Sequence, residues 1–398
     1  MREQFLPFCL PDIGEDEIAE VVATLRSGWL TTGPRTKRFE EEFAAFTGAP
    51  EALAVSSGTA AMHLALLACG IGPGDAVITT PLTFCSTVHV IEQVGAHPLL
   101  VDVDPETLNL DPARVEQAIR NSGMRVRALL PVHLHGHPCA MDALLELARR
   151  HELAVIEDAA HALPARWKGA MIGSVAASNE IPRAVAFSFY VTKNLNTAEG
   201  GMLTASPELL CKARPWALHG IDRDAWQRYG TRGSWYYEVV QPGYKYNLSD
   251  LQSALGLIQL RRLPEMQRRR LALVRRYHAG LDSLDGIQLP VERPEVEHAW
   301  HLYVIRLHSR PGETPEQTGE RRGRFIQLLQ EQRIGSSVHF IPVHLHPYYR
   351  QRYGYQPEDF PVAWREYQRM VSLPLSPAMR EEDVDDVIDA VRMALARC

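Results

Sequence analysis

The sequence predicts an α/β fold built on a mainly parallel sheet with helices on both faces. Short apolar runs at 52–55, 76–80, 98–104, 126–133 and 153–158 alternate with helix-forming segments such as 60–68 and 140–150. Strands covered on both faces are short and apolar in this way. The chain, 398 residues with 45% hydrophobic and 23% charged, is long enough for two domains. We expect a large domain over 1–262 and a smaller α+β domain over 263–398. In open sheets of this kind ligands sit at the carboxyl ends of the strands.

The formal net charge of −6 is spread along the chain, and no Lys/Arg block recurs with interleaved aromatics. Nucleic acid is not an expected partner. The arginine clusters 261–262, 268–270 and 275–276 fall at near-helical intervals and read as a solvated helix face. The six cysteines, at 9, 69, 85, 139, 211 and 398, include no C-x-x-C pair and read as reduced thiols. No apolar signal core opens the chain and no apolar run is long enough to cross a bilayer, so the expected setting is the cytoplasm, without a membrane partner.

In chain order, residues 14–27 set Ile18, Val21, Val22 and Leu25 at helical spacing, an amphipathic helix ended by Gly28. A turn-rich loop, Trp29-Leu-Thr-Thr-Gly-Pro34, leads to a helix over 37–46. The turn Ser56-Ser-Gly-Thr59 then joins a strand to the helix that starts at Ala60. Such a turn either caps the helix or offers free N–H groups and a positive helix end to a phosphate. It is neither a Walker loop nor a dinucleotide fingerprint.

Lys193 follows Phe187, Phe189, Tyr190 and Val191 and precedes a small polar turn ending in Gly200-Gly201. A lysine in apolar company either snorkels to water or, desolvated, has the lowered pKa of an amine nucleophile. Asp158 ends a strand, where a carboxylate can cap the next turn or pair with the protonated nitrogen of a bound ring. Beside it, His161 reads as a core histidine or a ligand contact. Phe84 reads as packing or as a lid over a flat ring.

Together these segments resemble the DegT-type sugar aminotransferases, pyridoxal 5'-phosphate enzymes of the aspartate-aminotransferase fold, fold type I. The resemblance rests on Gly28-Trp-Leu-Thr-Thr-Gly33, Ser57-Gly-Thr-Ala60, Pro81-Leu-Thr-Phe84, Glu157-Asp-Ala-Ala-His-Ala162, Ser188-Phe-Tyr-Val-Thr-Lys193 with Glu199-Gly-Gly201, and Gly243-Tyr-Lys-Tyr-Asn-Leu-Ser-Asp250. It implies a seven-stranded large-domain sheet and assigns roles. Lys193 would bind the cofactor covalently and move the proton. Asp158 would pair with the ring nitrogen, Phe84 would stack on the ring, and His161 would sit near the ring or its phenolic oxygen. Ser188 with the backbone at Thr59 and Ala60 would receive the phosphate. Asn247 would reach the cofactor phosphate of a neighbouring subunit, which implies a homodimer with shared active sites. Thr31, His339 and His344 would line the sugar pocket.

A sister group of dehydratases carries histidine where this chain has Lys193, so the resemblance favours transamination. The forms around Asp158 and Asn247 resemble the branch acting on nucleotide-linked 4-keto sugars, with glutamate the expected amino donor. A cofactor-binding protein without catalysis is the alternative. A zinc hydrolase is a third reading, prompted by His133, His135 and His137 and by His339, His344 and His346. Pro138 and Pro342 interrupt both groups and no H-E-x-x-H is present, so no metal is expected.

Beyond residue 256 we expect a long basic helix toward Leu281, strands at 301–307 and near 336–340, and a helix over 322–332. A last helix should carry Val384, Val387, Ile388, Val391 and Leu395 on one stripe. The aromatics Trp226, Tyr229, Trp235, Tyr236 and Tyr237 read as packing rather than as a nucleobase cover.

Overall fold

The computed structural model describes residues 2–175, 180–221 and 236–398. Trp226, Tyr229 and Trp235 lie outside the described residues. The chain opens with helices α1 (Glu15–Ser27) and α2 (Pro34–Thr47). There follow β1 (Glu51–Val55), α3 (Gly58–Ala68), β2 (Ala76–Thr79), α4 (Ser86–Gln93), β3 (His97–Leu100), α5 (Pro112–Asn121), β4 (Val126–Leu129), α6 (Met141–Arg150) and β5 (Ala154–Asp158). A small hairpin, β6 (Arg166–Trp167) and β7 (Ala170–Met171), precedes β8 (Arg183–Ser188), β9 (Gly201–Ala205) and α7 (Pro207–Ala217).

Seven strands form one sheet in the order β1-β9-β8-β5-β4-β2-β3, and only β9 runs antiparallel to its neighbours. Successive residues of β1 show why its strands are apolar throughout. Leu53 and Val55 pack with α3 and α7 on one face, whereas Ala52 and Ala54 pack with Phe39 and Phe43 of α2 on the other. Helices α5 and α6 cover Ile78, Leu129 and Val155 beside α2. The sheet is thus buried on both sides, as the alternation predicted.

Helix α8 (Asp250–Leu281) starts at a capping box in which Ser249 and Gln252 satisfy each other's backbone N–H. It runs without interruption through the expected boundary at 262. Leu257, Leu260, Leu263 and Met266 pack with the large sheet, and Leu273, Val274, Tyr277 and Leu281 pack in a separate C-terminal core. The core therefore changes between Met266 and Leu273. Leu6 also belongs to the C-terminal core and pairs with Ile334, so the first residues cross to the smaller unit.

That unit holds β10 (Ile287–Gln288), β11 (Val296–Glu297), which joins the small hairpin, and β12 (Tyr303–Leu307). It continues through α9 (Pro315–Glu331), α10 (Pro347–Tyr353), α11 (Pro361–Arg369), β13 (Met370–Leu373) and α12 (Glu381–Arg397). Its antiparallel sheet has the order β10-β12-β13. On α12, Val384, Val387, Ile388 and Val391 are buried as the stripe predicted, with Leu395 packed at its edge. The helix comes so close to α8 that a Cβ on Gly280 would lie 2.4 Å from the Ile388 Cδ1.

Two expectations are corrected, and one helix buries an unexpected face. Helix α9 starts at Pro315, seven residues before Arg322, because Thr314 and Gln317 form a capping box there. The stretch 336–340 is not a strand. Only Ser337 bridges, to Ser372 of β13. On α1 the apolar stripe does not face the core: Ile18 and Leu25 are 49% and 52% exposed, and Glu17 and Thr24 are buried instead. The reason is polar. Glu17 accepts from the Gly14 N–H, from Gln259 Nε2 at 2.7 Å and from Arg262 Nη1 at 2.5 Å, so α1 meets α8 through a hydrogen-bonded carboxylate.

Candidate active site

A cavity of about 520 Å³ opens at the carboxyl ends of the parallel strands, and Lys193 is in its wall. The loop that carries Lys193 leaves β8 and returns to β9. It is pinned by Phe189 N–H to Gly200 O at 2.8 Å and Thr197 N–H to Phe189 O at 2.9 Å. Phe187 and Phe189 point into the core against Phe43, which takes the backbone of the loop down with them. Burial lowers the Lys193 pKa from 10.5 to about 8, opposed chiefly by the charge of Asp158. A useful fraction of its amine is therefore neutral near neutral pH.

Asp158 ends β5, and its carboxylate is nearly closed off from water. Oδ2 accepts from Thr87 Oγ1 at 2.8 Å and Oδ1 from the Ala160 N–H at 3.1 Å. Thr83 Oγ1 stands 2.7 Å behind Thr87 Oγ1, whose own hydrogen goes to Asp158, so Thr83 donates and the relay points at the carboxylate. Burial raises the Asp158 pKa, while Thr87, Ala160, Lys193 and His133 work against that rise. Its neighbour Glu157 faces the other way. Burial there is outweighed by Arg183, whose Nε is 2.6 Å from Oε1, and by His133 at 3.0 Å from Oε2, and the pKa falls to about 2.

Helix α3 starts at the cavity. Ser57 Oγ accepts the Ala60 N–H at 3.0 Å, so that donor is spent on the cap, and the first-turn donors of Gly58 and Thr59 remain at the cavity wall. This start sits directly on the sheet: a Cβ on Gly201 would lie 2.4 Å from the Ser57 carbonyl carbon, and one on Gly58 would lie 3.0 Å from Ser188 Cβ. Small residues at 58 and 201 are thus required for a backbone cradle.

The sequence matches the DegT/DnrJ/EryC1/StrS aminotransferase family over residues 11–392. The chain belongs to that family. It is 51% identical to the spore coat polysaccharide biosynthesis protein SpsC of Bacillus subtilis, over 98% of this chain and 97% of that one. Among solved structures it is similar to Spr1654 of Streptococcus pneumoniae, assigned as a sugar aminotransferase and solved in its PMP form. That match has 34% identity and a TM-score of 0.89, covering 98% and 99% of the two chains. The same protein has been solved in its PLP form. A third similarity is to DesV of S. venezuelae in complex with a ketimine intermediate, with 36% identity, a TM-score of 0.83, and 95% and 94% covered. The protein is a pyridoxal-phosphate-dependent sugar aminotransferase of fold type I.

The residues of this aminotransferase fit the cofactor. A desolvated amine at Lys193, an acceptor at Asp158 and a glycine-lined helix start meet in one cavity. Phe84, at its edge, is 56% exposed, a large aromatic face open to a flat ligand. His161 also lines the cavity. Its Nδ1 accepts the His135 N–H at 3.2 Å, which leaves its own hydrogen on Nε2.

Of the residues singled out from the sequence, Thr59, Phe84, Asp158, His161, Ser188, Lys193 and His339 border this cavity. Four do not. Ala60 lies one position inside the helix, with its N–H on Ser57. Asn247 is bonded to Thr32 Oγ1 at 2.6 Å and to Lys245 Nζ at 2.6 Å, away from the cavity of its own chain. Thr31 is exposed beside it and accepts the Asp250 N–H. His344 is turned into an aromatic cluster, its ring 4.8 Å from that of Phe360, because it lies in a short helical turn, Val343–Leu345. The sequence reading missed Thr87, which acts through Asp158, and His301 and Phe340, which reach the cavity from the C-terminal unit. Thr87 lies in the first turn of α4 and Thr83 before it, so no shared helical face marked the pair in the sequence.

Three of the histidines that raised the zinc reading have other partners. His133 is held between Glu157 and the Cys139 N–H, His135 Nε2 donates to His339 O, and His137 Nδ1 donates to Pro138 O. Among the described residues no group of three or more His, Cys, Asp or Glu side chains is arranged to hold a metal, and no helix is long and apolar enough to cross a membrane.

Proposed function

We propose that this aminotransferase takes an amino group from L-glutamate and delivers it to the 4-keto carbon of a nucleotide-linked sugar. The observation that carries the proposal is the pairing, in one 520 Å³ cavity, of the Lys193 amine with a second wall bearing His301 and His339. The volume suits a ligand larger than an amino acid. Neutral imidazoles suit hydroxyl groups, and polysaccharide assembly, in which the relative SpsC is named, draws on activated sugars. The forms of the Glu157–Ala162 and Gly243–Asn247 segments support the nucleotide 4-keto branch.

When bound, pyridoxal phosphate supplies a carbonyl that takes up the amino group and a ring that withdraws electrons from the carbon losing its proton. Lys193 would hold that group through its amine and would carry the proton between the reacting carbons. Asp158 would accept from the ring nitrogen and so keep it protonated. The N–H groups of Gly58 and Thr59, with Ser188, would hold the phosphate at the start of α3. Phe84 would cover the ring and His161 would donate from Nε2 to a ring oxygen. His339 lines the sugar side. We place the reaction in the cytoplasm, where the six free cysteines would stay reduced.

The test is an absorbance spectrum of the holoenzyme before and after L-glutamate, followed by a panel of nucleotide 4-keto sugars. Glutamate should convert the visible band of the lysine-bound cofactor to that of its aminated form, and one sugar should restore it. A band that glutamate leaves unaltered would count against this donor, and one that no sugar restores would sink the substrate class.

The reading also requires a second copy. Asn247 and Thr31, which stand outside their own chain's cavity, are assigned to the active site of a homodimer partner. Mixing Lys193→Ala chains with Asn247→Ala chains should then restore up to about a quarter of the wild-type rate, since half of the dimers have one intact site. Mixtures as inactive as their components would refute shared sites.

A further inference from the structure

Asn194, next to Lys193, fixes the chemistry of His301. Its Nδ2 donates to the carbonyls of Leu163 and Ala299, each at 2.9 Å. Carbonyl oxygens only accept, so the orientation of the amide is set, and Oδ1 faces His301 Nδ1 at 3.2 Å. That oxygen accepts as well. His301 therefore carries its hydrogen on Nδ1 and leaves Nε2 as a bare acceptor.

His161 is set the opposite way, with its hydrogen on Nε2. The two rings lie 4.4 Å apart, both buried and both bordering the main cavity. Burial, reinforced by the Lys193 charge, holds both well below the usual imidazole range, so neither role is reversed by protonation. The cavity thus presents a donor and an acceptor side by side. The donor is used by the cofactor in the reading above, and the acceptor is left for something else.

An acceptor needs a donor. The groups that mark glutamate, its two carboxylates, carry only acceptors, whereas a sugar carries hydroxyls. We propose that His301 is a specificity-determining residue that accepts a hydrogen bond from a hydroxyl of the sugar substrate, with Asn194 as the residue that orients it. This rests on the keto-sugar reading, because a second substrate without a hydroxyl would have nothing to give this nitrogen.

The experiment measures the two half-reactions separately in single turnovers of the holoenzyme, with L-glutamate and then with the nucleotide 4-keto sugar that the wild type accepts. His301→Leu should leave the glutamate step within about twofold and slow the sugar step about tenfold or more, the value of one hydrogen bond in a dry site. His301→Gln, which keeps a carbonyl acceptor, should recover part of that loss. Equal losses in both steps, or an unimpaired sugar step, would overturn the proposal.

A second measurement needs no variant to fold. The ¹⁵N shifts of His301 in the wild-type apoprotein should show a pyridine-type Nε2, and the reversed tautomer or an imidazolium would also overturn it. A wild type inert to every keto sugar would overturn the function proposed above and this contact with it. An active wild type with an indifferent His301→Leu variant overturns the contact alone.

Discussion

The two walls of the cavity are held in place by different means. On the side of the large sheet, regular structure does most of the fixing: α3 starts against β9 with no room for a Cβ at Gly201, and Asp158 is held at a strand end by the Ala160 N–H and by Thr87 of α4. On the side of the C-terminal unit, His301 and His339 stand on irregular chain and are fixed by side chains, Asn194 for the first and the Ser372 hydroxyl, at 2.8 Å, for the second. A wall of strand ends and a helix start suits a ligand that never changes. A wall of loops can be altered without disturbing a sheet. One scaffold can in this way keep its cofactor while its substrate changes.

The contrast breaks if the sheet wall turns out dispensable. Lys193→Ala should therefore have the largest effect, a loss of turnover of at least about 10²-fold from proton transfer alone, with an unaltered melting temperature. Near-normal turnover would sink the mechanism.

Next come the adjacent carboxylates of β5, which should separate cleanly. Asp158→Asn should cost about 10²-fold in turnover, as removal of a charge partner at a reacting group does. Glu157→Gln should leave turnover nearly intact and cost about 3 kcal/mol of stability, because it strands Arg183 beside a buried site. The pH dependence has a definite sign. The Glu157 pKa is depressed from 4.5 to about 2 in the folded chain, so its contribution is present above 4.5 and is lost as pH falls toward 2. Denaturation curves at stepped pH should show that acid loss in the wild type and a smaller one in the variant. The reverse outcome, with Glu157 controlling turnover, would erase the distinction between the two faces of the strand.

The same contrast explains what could be read from the sequence. Each part of the sheet wall is local: a strand end and the residues just after it bring Ser57 to Thr59, Asp158 to His161 and Ser188 to Lys193 to the cavity, so a short motif carries both position and chemistry. The other wall joins 301 and 339, and no local pattern says that Asn194 will bond Ala299 and His301. His339 and His344 both read as lining the sugar pocket, but the helical turn Val343–Leu345 carries His344 to Phe360 while His339 borders the cavity. On α1 the spacing of Ile18 and Leu25 marks a helix but not its buried face, since periodicity counts apolar residues and cannot see that Glu17 will find Gln259 and Arg262.

The smallest effect is expected at Phe84, where the walls meet. Its ring is 5.7 Å from that of Phe340 and otherwise half open, so the free protein gains little from it. A bound planar ring would cover that open face. Phe84→Leu should then weaken cofactor binding by about 1 kcal/mol, the value of one aromatic stack, while the apoprotein melts as the wild type does. Cofactor dissociation constants and apoprotein melting curves measured on the same preparations decide it. If the melting temperature falls with the affinity, Phe84 is a packing residue that tethers the C-terminal unit through Phe340. If only the affinity falls, its exposed face is part of the binding site, and the sheet wall extends to the edge of the loop wall.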